Sequence, residues 1–116
     1  MNFGTIALET RDEATIALLI QALDDDDPDA RSEATTALSN IQHQPAVPKL
    51  LELLHHHPEP ETRKAAALAL MKMQNQTALP ELKAAAETET NPIVIPVIKL
   101  AVVQLQKAIA TEDDWN

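Results

Sequence analysis

Small and aliphatic side chains return along this chain at three- and four-residue steps, and short polar stretches interrupt them. Ala34, Ala37, Leu38 and Ile41 share one helical face by that spacing, and so do Ala66, Ala69, Leu70 and Met73. Leu50, Leu51, Leu53 and Leu54 crowd a shorter segment between them. The pattern predicts helices near residues 4–9, 12–23, 28–41, 46–55, 60–73, 78–87 and 92–110. Asp27, Glu59 and Asn91 each stand before a proline (Pro28, Pro60, Pro92). Asp and Asn there are good N-cap acceptors, Glu a weaker one, and proline suits a first helical position whose N–H would be unpaired anyway. Pro48 and Pro80 fall in the first turn of the shorter helices. Asn40 and Asn75 are expected to take the turn positions where glycine usually stands.

The same register repeats. DPDARSEATTALSNI, from residue 27, lies over EPETRKAAALALMKM, from residue 59, with every matched position 32 apart. Arg31 meets Arg63, Leu38 meets Leu70, and further on Pro48 meets Pro80 and Leu50 meets Leu82. Another step of 32 brings Asn91-Pro92 onto Glu59-Pro60. Self-similarity at this period is the mark of a stacked helical repeat. The expectation is an all-α, right-handed solenoid of about three and a half hairpins. It forms one domain over 1–110, with units near 4–23, 28–55, 60–87 and 92–110 and an acidic tail over 111–116.

Composition sharpens this picture. Hydrophobic residues make up 45 % of the 116, yet aromatics only 2 %, so the core must come from Ala, Leu, Ile and Val. Filling such a core to native density needs helix backbones in close approach. The formal charge of −9 repels phosphate backbones and argues against nucleic acid as a partner. Absence of cysteine removes disulfides and thiolate chemistry, which fits a cytoplasmic protein. No basic start with an apolar run marks the N-terminus as a signal. The apolar run from Ile93 to Val103, interrupted by Pro96 and Lys99, is too short to span a bilayer.

The stretch DDDDPDARSEAT, starting at Asp24, lacks the sixth-position glycine and the twelfth-position glutamate of a calcium loop, and reads as a solvated turn. His55, His56 and His57 are the best metal candidate, which would need His43 or a carboxylate of the next unit as well. The preferred reading is a helix C-terminus favourable to positive charge, with no metal site assigned. Ser32 and Ser39 have no His-Asp pattern to activate them. No catalytic residue and no cofactor is therefore expected.

The motif L-x-D-D-D-D-P-D-A-R-x-x-A-x-x-A-L-x-x-I, followed by A-V-P-x-L-L-x-L-L, resembles the HEAT-like repeat first associated with phycobilisome lyase subunits of cyanobacteria. The resemblance covers about residues 14–105. It implies that the acidic turns and first-helix arginines link neighbouring units, giving structural roles to Asp27 (or Asp25) with Arg31, and to Glu59 (or Glu61) with Arg63. Ile95 stands where the third arginine would be. The resemblance further implies a protein-binding scaffold serving phycobilisome or other photosynthetic proteins. The alternative is a small relative of a heterodimeric phycobilin lyase, whose bilin would want arginine partners.

Candidate binding positions follow. The last helix carries Ile93, Leu100 and Val103 away from its main apolar stripe, a face expected to meet a partner or a second copy. Solvent-facing positions of the second helices add Lys49, Glu52, Glu81 and Lys83, and Trp115 behind three acidic residues is a further anchor. Another protein, such as a phycobiliprotein or a lyase partner, is the expected ligand.

Overall fold

The computed structural model describes residues 12–114, with side chains as far as Ile109. Six α-helices appear there: α1 (Glu13–Ala22), α2 (Pro28–Asn40), α3 (Val47–His56), α4 (Pro60–Met73), α5 (Leu79–Thr88) and α6 (Val94–Asp114). Short 3-10 turns, Gln44–Ala46 and Gln76–Ala78, lead into α3 and α5. There is no strand among the described residues, and the fold is an all-α solenoid. The helix expected near 4–9 and the Trp115 anchor lie outside the described residues.

Local chemistry explains most boundaries. Asp27 accepts the Asp29 N–H at 3.0 Å, and Asp25 accepts the Asp27 N–H at 2.9 Å, so the four aspartates are a turn and a cap. Pro28 and Pro60 open α2 and α4. Glu59 makes no capping hydrogen bond, because its carboxylate is drawn to Arg31 instead. Asn91 does cap, accepting the Ile93 N–H at 2.8 Å, but Pro92 stays in the turn and α6 starts two residues later than expected. No proline or glycine follows Ala110 to stop α6, and the helix runs to Asp114, into the segment expected as a tail.

One turn expectation is corrected. The left-handed positions are Gln42 (φ 57°) and Gln74 (φ 51°), which are themselves 32 apart, and not Asn40 and Asn75. Asn40 is still helical. Asn75 caps the following 3-10 turn by accepting the Thr77 N–H at 2.9 Å. A glutamine in left-handed backbone carries a steric cost. At Gln42 the side chain offsets part of it by donating to the carbonyls of Ser39 and Lys72, both at 3.1 Å.

First helices α2, α4 and α6 lie side by side in one layer, and α3 and α5 form the second. The closest second-to-first contacts run across the acidic turns, α3 on α4 and α5 on α6. The molecule is 17 Å across its thinnest dimension, about the thickness of two helix layers. Leu38, Leu50, Leu70, Leu82, Ile98 and Leu105 are fully buried. Ala34, Ala37, Ala66, Ala67 and Ala101 between them leave room for the backbones to approach. Helix α4 touches α2, α3 and α6 and is the keystone of the stack.

Candidate recognition surface

Two polar ladders cross the units and set the surface above them. Arg31, 4 % exposed, donates from Nη1 to the Asp25 and Asp26 carbonyls at 2.8 and 3.1 Å. Its Nε donates to Thr62 Oγ1 at 3.1 Å, and its Nη2 meets the Glu59 carboxylate of the next turn. Arg63 repeats the pattern one unit on. Its Nη1 donates to the His57 and Pro58 carbonyls at 2.8 and 3.0 Å, each 32 residues after its counterpart. The carboxylate partner, however, is Glu89, reached from Nε at 2.7 Å, and neither Glu59 nor Glu61. The in-register position is Asn91, which has no charge to offer, so the acid two residues earlier takes its place. Sequence reading missed Glu89 for that reason, although an acidic residue before the third turn was a usable signal. Ile95 ends the ladder at the third unit.

The second ladder runs along the far turns. Asn75 Nδ2 donates to Gln44 Oε1 at 2.8 Å, Gln44 Nε2 to the Met73 carbonyl at 3.4 Å, and Lys72 to Asn40 Oδ1. With both edges pinned, the spacing of α2 and α4 is fixed.

Between those helices opens a groove of about 590 Å³. Ser32, Thr35 and Thr36 line it from α2, and Ala65, Leu68 and Lys72 from α4. Thr35 is buried with its hydroxyl satisfied, donating to the Arg31 carbonyl at 2.7 Å. The groove exists because small side chains occupy facing positions of two fixed helices. Sequence reasoning did not find it.

Leu68 on this groove is 40 % exposed. Leu100 stands 32 residues later and is 46 % exposed, with Val103 at 42 % and Ile93 at 57 %. The shared register puts Leu68 and Leu100 on the same outer face of neighbouring first helices. Leu68 remains exposed although α5 completes its unit, so a second helix is not what would cover Leu100. The surface is a property of the first-helix layer.

The other candidates sit on the second-helix layer. Lys49 of α3 pairs with Asp24 at 2.8 Å and with Glu52 at 3.5 Å. The hydrogen bond to Asp24 holds the Lys49 ammonium above its ordinary pKa. Glu81 of α5 meets His55 Nε2 at 3.0 Å, and Lys83 is exposed. These four residues and the Leu100 face are thus on different layers. Among the described residues no three His, Asp or Glu side chains converge as a metal site. No described helix is long and apolar enough to cross a membrane.

His57 closes α3 and its Nδ1 accepts the Glu59 N–H at 3.1 Å, which requires an unprotonated Nδ1. Burial, with the Arg31 guanidinium next in weight, lowers its pKa below the usual 6.5. The unfolded chain therefore takes up this proton first. Its contribution to stability is complete above pH ~6.5 and falls as pH drops below it. Urea unfolding at pH 7.5 and 5.5 should show a decline in wild type that His57→Gln reduces. An equal decline in both would exclude His57 as the cause.

The repeated hairpins and their cross-unit ladders define a class. The chain belongs to the HEAT repeat family, whose model matches residues 16–103. A similar solved structure is the crystal structure of epoxyqueuosine reductase with a tRNA-Tyr epoxyqueuosine-modified tRNA stem loop, at 30 % identity and a TM-score of 0.64. The match covers 66 % of this chain and 20 % of the reductase chain, so the likeness spans a fifth of that enzyme. No curated protein matches the sequence.

Proposed function

We propose that this chain is a non-enzymatic protein-interaction scaffold that recognises its partner through the first-helix layer. The observation that carries this reading is the α2–α4 groove, lined by Leu68, whose register equivalent Leu100 is likewise exposed one first helix on, with exposed Val103 three residues later. Leaving a leucine or valine in water forfeits about 1.5–3 kcal/mol relative to full burial, a gain a docked protein would recover in part.

Resemblance of the repeat motif supports a partner from the phycobilisome or another photosynthetic assembly, and the lack of cysteine suits a cytoplasmic setting. The lyase reading is weaker on this chain. Arg31 and Arg63 are committed to the ladder, so neither is available to a bilin propionate. A nucleic-acid role, suggested by the tRNA stem loop in the reductase structure, meets a net charge of −9. Self-association through Leu100 and Val103 would use the same face, and a light-scattering mass that stays monomeric in wild type and in Leu100→Glu/Val103→Glu would exclude it. The test is affinity capture with wild type and Leu68→Asp, both checked for native helicity. A partner retained by the first and lost from the second supports the scaffold. Identical sets from both would overturn the first-helix layer as the site.

A further inference from the structure

Charge is not spread evenly over this acidic chain. From Thr62 to Met73 and again from Val94 to Ile109 there is no carboxylate, while Arg63, Lys64, Lys72, Lys99 and Lys107 fall in those spans. Four of the six lysines are therefore on α4 and α6. Their spacing matters more than their number. Lys64, Leu68 and Lys72 follow at four-residue steps and share one face of α4, and Lys99, Val103 and Lys107 do the same on α6. Lys64, Leu68 and Lys72 all line the α2–α4 groove. Leu68 and Val103 are thus each bracketed along their helix by ammonium groups, on two helices packed side by side. The Lys64 ammonium pairs with Glu61 at 3.7 Å and that of Lys72 with Asn40.

Resting on the scaffold reading, we propose that this face binds an acidic amphipathic helix of a partner protein. Leucine-type side chains of the partner would meet Leu68, Leu100 and Val103, and its flanking carboxylates would meet the lysines. A helix-on-groove mode of this kind uses anchors at three- and four-residue steps. The α4 face is about 20 Å long at 1.5 Å per residue, which suits a partner helix of about 14 residues. A second copy is disfavoured, because a two-fold contact places the same patch on both sides and sets lysine against lysine. A phosphate polymer gains nothing from burying Leu68. Continuing past the face, it would also meet the acidic turn at residues 24–27, with Asp29 and Glu61 at the groove's end.

The test uses three labelled probes against the full chain, read by fluorescence anisotropy and amide shifts. One is an 18-residue helical peptide with leucines on one face and glutamates flanking them. The second carries lysines for the glutamates, and the third is a short RNA stem loop. The glutamate peptide should bind at least tenfold tighter than either other probe, shifting amides of α4 and α6. In Lys64→Glu/Lys72→Glu/Lys99→Glu, with native melting confirmed, the order of the two peptides should reverse. Equal or tighter binding of the lysine peptide or the RNA would overturn the proposal, as would no binding of the glutamate peptide at millimolar concentration. If light scattering shows that wild type is a dimer broken by the triple variant, the second copy is the occupant and the proposal fails. Any of these failures would leave the scaffold reading standing if Leu68→Asp still loses a partner.

Discussion

Leu70→Ala should lower the free energy of unfolding by about 3–5 kcal/mol, the range for a leucine removed from a core that cannot collapse around the gap. Leu70 is fully buried in α4, and α4 packs on α2, α3 and α6 at once. A cavity there loosens contacts on both sides of the central helix. A chain of this size has about 5–15 kcal/mol in total, so this one change would remove a large share of it. Leu68→Ala, two residues earlier on the exposed side, should cost under about 1 kcal/mol. Urea titrations followed by helical circular dichroism separate the two. Similar losses at both positions would mean that α4 is not buried as described.

Arg63→Ala is expected to cost about 2–4 kcal/mol, because it strands a carboxylate that cannot easily return to water. The Glu89 side chain is 9 % exposed and the Arg63 side chain 15 %. Removing the guanidinium also leaves the His57 and Pro58 carbonyls without this donor. Glu59→Ala should be milder, about 1–2 kcal/mol, since that carboxylate is 52 % exposed and the buried Arg31 keeps the Thr62 hydroxyl and the Asp25 and Asp26 carbonyls as acceptors. The double variant Arg63→Ala/Glu89→Ala should be more stable than the sum of the single losses allows. Strict additivity would show that the Arg63–Glu89 contact contributes nothing.

The helices, their proline-marked starts and the 32-residue register were legible because each rests on local chemistry. An N-cap aspartate, a first-turn proline and an apolar step of three or four residues act within one or two turns of helix. What escaped depends on two helices at once. Glu89 was hidden because the third unit carries Asn91 in place of an acid and the link shifted by two residues. The groove was hidden because Ser32, Thr36 and Ala65 become a trough only when α2 and α4 are held apart by their ladders. Leu68 gives the sharpest lesson. Its equivalence to Leu100 was present in the register and would have shown that both face outward. The turn residues Gln42 and Gln74 were passed over because asparagine is the commoner left-handed residue. At Gln42 the side chain bonds one carbonyl of its own helix, Ser39, and one of the neighbouring unit, Lys72.

That the first-helix layer carries recognition can be measured by placing a photo-cross-linking residue at Thr36 or Leu100 and, in separate proteins, at Glu52 or Lys83. A discrete cross-linked partner is expected from Thr36 and Leu100, and none of comparable yield from the second-helix positions. Cross-links confined to Glu52 and Lys83 would contradict it.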